Sequence, residues 1–268
     1  INFAVRHLKK MVPEFRLPLD RSRTVTRFDM AVAEGTRLAL KPVRLTPDDL
    51  AFLQYTGGTT GVSKGATLSH RNVAANILQT EAWFKPMLDK VGNQQLTVVC
   101  ALPLYHIFAL TVCMMMGMDL GGKNVLIPNP RDIPAFVKMI SHEKLHIFPG
   151  LNTLFNALLN NEEFRKLDFK PMLLTLGGGM AVQSAVAERW QKLTGCAIHE
   201  GYGLSETSPV ASANRFDVPI YTGNIGLPLP STDFAIRDDD GKDLPRGEVG
   251  EICIRGPQVM AGYWQRPD

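Results

Sequence analysis

The sequence predicts an α/β protein: a largely parallel sheet flanked by helices, followed by a smaller β-rich, barrel-like part. Three observations predict it. Between about residues 51 and 200, short apolar runs alternate with segments of helical periodicity, at spacings suited to strand–helix–strand crossovers. Apolar residues make up 45% and charged residues 21% of the 268, which supports a sizeable core and excludes wholesale disorder. After about residue 210 the helical periodicity stops, and short β segments alternate with turns such as Asp240-Gly241 and Pro245-Arg246-Gly247.

The elements follow in order. Residues 1–13 read as a basic amphipathic stub without the apolar stretch of a signal peptide, and 13–47 as loop with short strands. Thr46-Pro47-Asp48-Asp49 marks a turn or helix start. A strand at 51–55 leads through a glycine-rich loop to a helix at 69–84, with Ser69 placed to cap and His70, Val73 and Ile77 on one stripe. Residues 96–118 carry no Asp, Glu, Lys or Arg and are long enough to span a bilayer. Pro103, Tyr105 and His106 in their middle favour a buried strand at 96–102, a loop, and a buried helix at 107–116 instead. Next come a strand at 123–127 and a helix at 132–142, a strand end at 147–148 and a helix at 152–160, then a strand at 172–176 and a helix at 183–194 closed by Gly195. A strand at 197–200 ends the series, and 233–237 and 250–256 read as strands of the later part. We therefore expect a basic loop-rich lead-in at 1–47, an α/β part at 48–210, and a β-rich part at 211–268.

Charge and cysteines exclude several classes. The four cysteines, Cys100, Cys113, Cys196 and Cys253, are scattered, which argues against a disulfide scaffold or zinc ribbon and for a reducing compartment. The net charge of +3 is uneven: residues 1–47 hold ten Lys/Arg against four Asp/Glu, the remainder nineteen against twenty-two. Such a lead-in could face an anionic ligand or a lipid surface, although charge runs are more often simply solvated. Basic residues do not interleave with aromatics, so no nucleic-acid partner is expected.

The strongest local signal is Tyr55-Thr56-Gly57-Gly58-Thr59-Thr60-Gly61-Val62-Ser63-Lys64-Gly65. Four Gly, three Thr, one Ser and one Lys fall within eleven residues. Glycine lets backbone N–H groups approach an anion, hydroxyls can donate to phosphate oxygens or ligate Mg2+, and Lys64 adds a point charge. Because Gly65 follows Lys64, the loop does not fit the Walker A register.

Four further segments share its order with one known group. They are Leu102-Pro103-Leu104-Tyr105-His106-Ile107-Phe108, Gly177-Gly178-Gly179-Met180, Glu200-Gly201-Tyr202-Gly203-Leu204-Ser205-Glu206-Thr207, and Gly250-Glu251-Ile252-Cys253-Ile254-Arg255-Gly256 through Gly262-Tyr263-Trp264. Together with the glycine-rich loop they resemble the adenylate-forming, AMP-binding enzyme superfamily. Within it the chain looks most like the bacterial long-chain fatty-acid–CoA ligases.

The resemblance implies two half-reactions: a fatty carboxylate attacks the α-phosphate of ATP to give acyl-AMP and pyrophosphate, and the thiol of coenzyme A then displaces AMP. It implies that Thr56, Gly57, Gly58, Thr59, Thr60, Gly61, Lys64 and Gly65 cradle the β- and γ-phosphates. Glu206 would ligate Mg2+, with Thr56 beside the same ion. Tyr202 would stack on adenine, with Gly177, Gly178, Gly179, Glu200, Gly201, Gly203, Leu204 and Ser205 completing the nucleotide site. His106 would border the carboxylate and orient it, although a lone His in an apolar run is otherwise a structural group. Thr56, His106 and Glu206 are thus the expected catalytic set.

Gly150, Leu151 and Asn152 are expected to border the acyl group. No Asp or Glu lies among them, which disfavours an amino-acid substrate, because a buried ammonium without a partner is costly. Met114-Met115-Met116 could line an alkyl tunnel or simply fill the core. The alternatives to a long-chain ligase are an aryl or medium-chain acid–CoA ligase, and a non-catalytic nucleotide-binding module. Relatives carry a ribose-binding Asp, a hinge and a lysine-bearing C-terminal domain that cannot be placed here, so we expect a central portion with little turnover of its own. The expected setting is cytoplasmic, with peripheral contact at the inner face of the membrane and homodimerisation carried as expectations.

Overall fold

The computed structural model describes residues 26–56, 63–92 and 94–266. Two compact units are present, Ile1–Leu45 and Thr46–Asp268. In the first, α1 (Phe28–Gly35) stands where loop and short strands were expected. Met30, Ala31, Ala33 and Glu34 are good helix formers, and their propensity prevails over the Pro- and Arg-rich composition around them.

In the second unit, β1 (Leu50–Thr56) pairs antiparallel with β2 (Lys64–Ser69). Sequence reasoning runs the glycine-rich loop straight into a helix; β2 intervenes, so that stretch joins two paired strands. Gly65, Ala66, Leu68 and Ser69 of β2 are buried and Thr67 is partly buried, so the strand is covered on both faces and shows no alternation beside the glycines. α2 (His70–Val91) then starts at Ser69, whose hydroxyl accepts the Asn72 amide at 3.2 Å while the Asn72 side chain accepts the Ser69 amide at 2.9 Å. The helix continues past the expected end at residue 84 and contains Pro86, because Phe84 and Met87 are anchored in the core.

The expected alternation continues through β3 (Thr97–Cys100), a π-helical segment (Ala109–Met115), α3 (Met116–Asp119), β4 (Lys123–Leu126), α4 (Ile133–Ile140), β5 (Ile147–Gly150), α5 (Asn152–Leu159), β6 (Leu174–Gly177), α6 (Ser184–Thr194) and β7 (Ile198–Gly203). Two strands that follow, β8 (Val210–Ala213) and β9 (Leu227–Pro228), extend the same sheet antiparallel, while β10 (Asp233–Arg237) and β11 (Glu251–Arg255) pair only with each other. The sheet order is β4-β3-β5-β6-β7-β8-β9, parallel from β4 to β7.

Both faces of the parallel strands are covered, which explains their near-continuous apolar character. Val98, Cys100, Ile147, Leu174 and Leu176 face a cluster with Phe84 and Met87 of α2 and Val112 and Met116 of the next two helical segments. Their neighbours Val99, Ala101, Phe148 and Ile198 face the other way, toward α4, α5 and α6. There the fully buried Trp190 ring packs 5.3 Å from Phe148 and 4.8 Å from Phe155, and its N–H donates to Thr175 at 3.0 Å. Truncating such a ring costs about 3–5 kcal/mol, so this cluster anchors the helices to the sheet. Among the described residues no helix is long and apolar enough to cross a membrane. The uncharged stretch at 96–118 is consumed by β3 and the π-helical segment, and Met116 is core.

α2 carries a second, polar face at Asn72, Asn76 and Gln79, spaced three and four residues apart. Asn72 donates to the carbonyls of Pro257 and Val259, both at 2.8 Å. Asn76 donates to the Val210 carbonyl at 2.7 Å and accepts the Val210 amide at 3.0 Å, standing in for a strand partner. Gln79 donates to Pro230 at 2.6 Å and to Gln258 at 3.1 Å. One helix face therefore holds β8 and the segment around residue 258.

Two buried histidines set a pH dependence. Burial pushes the His199 ring below its ordinary range, and burial with the nearby Lys144 charge does the same to His146. The unfolded chain takes up these protons near pH 6.5 and the folded chain only at lower pH, so stability falls as the pH drops below about 6.5. His199→Gln, which can still donate to the Val218 carbonyl, is expected to flatten the decline in melting temperature between about pH 7 and 5. An unchanged slope would remove His199 from this account.

Candidate functional site

The parallel strands end along one edge, and the order reverses beside β3: its successor β4 lies on one side and β5 on the other. Open α/β sheets bind ligands beyond the carboxyl ends of their strands at such a switch point. A cleft of about 830 Å³ opens there. The segment after β3 contributes Tyr105, His106 and Phe108; β6 leads into Gly178 and Gly179; the end of β7 contributes Gly201, Tyr202 and Gly203. Leu204, Ser205 and Glu206 continue the wall, and the β1–β2 hairpin supplies Thr56 and Lys64 opposite.

Local geometry explains how each group is presented. Gly179 adopts φ +74°, which turns the chain away from β6 and favours glycine. Gly203 approaches the neighbouring strand so closely that a Cβ would lie 1.9 Å from the Pro209 carbonyl oxygen. The Phe108 amide donates to His106 Nδ1 at 3.2 Å, so the neutral ring carries its proton on Nε2 and keeps a donor available. Gln54 donates to the Tyr105 carbonyl at 2.9 Å and ties the hairpin to this loop. Glu206 Oε1 accepts the Tyr263 hydroxyl at 2.7 Å, and that hydrogen bond pushes the phenol pKa up. The Lys64 ammonium stands 5.1 Å from the centre of the Tyr263 ring.

The cleft thus gathers Thr56, Lys64, His106, Gly178, Gly179, Gly201, Tyr202, Gly203, Leu204, Ser205 and Glu206 of the expected set. Gly57, Gly58, Thr59, Thr60 and Gly61 lie outside the described residues. Six others are not among the residues that line the cleft. Glu200 is buried and its carboxylate accepts the Val182 amide at 2.9 Å, bracing the turn after β6. Gly177 is enclosed by Val182 and Ile198, and Gly65 by Tyr55 and Trp264. Gly150 packs on Phe155, Leu151 lies beneath Gly179, and Asn152 accepts the Gln183 amide at 3.0 Å.

Sequence reasoning assigned no role to Gln54, Pro209, Val210, Tyr263 or Arg266, which also line the cleft. Tyr263 was visible inside the last motif, but no spacing rule connects it to a carboxylate 57 residues earlier. Behind Phe108 lies a small apolar cavity bordered by Trp83, Phe84, Val112, Leu176 and Phe216.

A family model for AMP-binding enzymes matches residues 7–264. The chain belongs to the AMP-binding enzyme family. Its sequence is 52% identical to a long-chain-fatty-acid–CoA ligase of Escherichia coli, over all of this chain and 46% of the relative. The chain thus spans about half the length of the curated relatives it matches. ATP-bound MatB from Rhodopseudomonas palustris superposes with a TM-score of 0.75 at 30% identity, over 86% of this chain and 44% of that protein. A long-chain-fatty-acid-CoA ligase from Archaeoglobus fulgidus gives a TM-score of 0.71 at 26% identity, over 85% and 46%.

The close approach at Gly203 yields a stability test of the cleft wall. Gly203→Ala must separate β7 from β8 and is expected to cost about 3 kcal/mol or more. At Gly178 an added Cβ meets the Phe108 ring edge at 3.0 Å and the Gly201 carbonyl oxygen at an ordinary 3.6 Å, so Gly178→Ala should cost about 1 kcal/mol. Thermal melting checks the order; equal losses would contradict it.

Proposed function

We propose that this chain supplies the ATP- and acyl-binding portion of an AMP-forming long-chain fatty-acid–CoA ligase, which joins a fatty acid to coenzyme A through acyl-AMP. One observation carries the reading: motif residues from five separated stretches meet in a single cleft at the carboxyl ends of the strands. The identity to the Escherichia coli ligase supports the substrate class.

The first half-reaction brings together two anions. Unit negative charges about 4 Å apart repel by about 4 kcal/mol at an effective dielectric near 20, so the site must supply compensating charge. Lys64 and Arg266 provide cations at the cleft wall, and His106 offers its Nε2 proton to the carboxylate. Thr56 and Glu206 offer a hydroxyl and a carboxylate, hard oxygen donors that suit Mg2+. Such an ion is commonly held by one or two carboxylates plus substrate phosphates. When bound, Mg2+ supplies concentrated positive charge to the phosphate oxygens. Tyr202 gives adenine a flat surface, and the glycine backbone at 178–179 leaves room beside it. The small apolar cavity behind Phe108, about 30 Å³, adjoins the cleft between α2 and the sheet and would have to widen to admit an alkyl chain. Coenzyme A enters as the second substrate.

Binding measurements test this without requiring turnover. Glu206→Ala is expected to weaken Mg2+–ATP binding about tenfold in calorimetry, with an unchanged melting temperature. Unchanged affinity would contradict the assigned role. A non-hydrolysable palmitoyl-adenylate sulfamate is expected to bind more tightly than its benzoyl counterpart; the reverse preference would favour an aryl-acid ligase.

A further inference from the structure

We propose that Tyr263 is a positioning residue for the phosphate–metal region: its hydroxyl fixes one oxygen of Glu206, and its ring face holds the Lys64 ammonium. The inference rests on the proposed function and adds a residue to it. Three side chains from three separate segments meet here. The Tyr263 hydroxyl donates to Glu206 Oε1 at 2.7 Å, and Lys64 Nζ stands 5.1 Å above the centre of the same ring. No other hydrogen bond to the Glu206 carboxylate is present among the described residues, so Oε2 remains available to a cation. Tyr263 thus spaces a cation from a carboxylate without letting them neutralise each other. Direct pairing of Lys64 with Glu206 would spend both charges that a Mg2+–triphosphate needs.

The backbone around Tyr263 is built to hold it there. The Met260 amide donates to the Glu206 carbonyl at 2.8 Å, the Ala261 amide to Thr67 at 3.0 Å, and the Trp264 amide to Gly65 at 2.8 Å; Thr67 returns a bond to Gly262 at 2.9 Å. The segment is therefore clamped to β2 on one side and to the Glu206 segment on the other. None of these bonds uses the phenol, so removing the hydroxyl leaves the clamp in place. A glutamate already held by one oxygen loses less rotamer freedom when the metal arrives, which is the physical content of positioning here.

The test measures ATP binding to the purified chain with and without Mg2+, in the unaltered protein and in Tyr263→Phe, Tyr263→Leu and Glu206→Ala. In Tyr263→Phe the enhancement of ATP affinity by Mg2+ is expected to fall about three- to tenfold, while Mg2+-free affinity and the melting temperature stay unchanged. Tyr263→Leu, which also removes the ring under Lys64, should in addition weaken Mg2+-free binding. A purely structural tyrosine would not separate these two affinities. Full Mg2+ enhancement in Tyr263→Phe, together with its loss in Glu206→Ala, would overturn the role of the tyrosine and leave the proposed function standing. Absence of Mg2+-dependent ATP binding in the unaltered chain would overturn both.

Discussion

The amide face of α2 is the constraint on which the site depends. Asn72, Asn76 and Gln79 are buried side chains whose partners are mostly backbone groups of distant segments. Each replaces a strand or helix partner that these backbone groups would otherwise lack. A buried N–H or carbonyl left unpaired costs about 1–3 kcal/mol, so the ladder is a strong determinant of where β8 and the segment near residue 258 can lie. Those segments carry the groups next to Glu206 and Tyr263. The helix that follows the glycine-rich stretch thereby sets the distance between the two walls of the cleft.

The sheet sets the other dimension. Its parallel strands are apolar on both faces, which forces helices onto both sides and leaves only the strand ends to meet a ligand. Gly179 and Gly203 let the chain turn and approach at those ends, and the buried Glu200 carboxylate braces the turn by accepting the Val182 amide. Cleft chemistry is therefore delivered largely by loops on a rigid frame, with the charged groups Lys64, Glu206 and Arg266 on the wall.

Much of this was legible in the amino acids. Alternating apolar runs and helical stripes placed β3 through β7 and the helices between them, because local periodicity and burial agree there. The glycine-rich stretch marked one wall of the cleft through its composition, and the Tyr202-Gly203-Leu204-Ser205-Glu206 element marked another through its resemblance to the adenylate-forming superfamily. Less legible were features that depend on tertiary partners. β2 was hidden because glycine and threonine signal a loop more strongly than Ala66 and Leu68 signal a strand. α1 went unseen because Pro and Arg around it outweighed its own propensity. The polar face of α2 gave no signal of its own, since Asn and Gln are usually exposed. Gly150, Leu151 and Asn152, expected beside the acyl group, are not among the residues that line the cleft, although Leu151 packs on Gly179 of its wall. Tyr263 could not be paired with Glu206 by any local rule, because only the clamp at residues 260–264 brings them together.

The central claim is that this one cleft holds a nucleotide and its metal at the ends of the parallel strands. The most direct measurement is a crystal structure of the chain with Mg2+ and a non-hydrolysable ATP analogue. Adenine against Tyr202 and the 178–179 backbone, with the metal between the triphosphate and Glu206, is the predicted result. A nucleotide bound outside the cleft, or a metal without contact to Glu206, would contradict it.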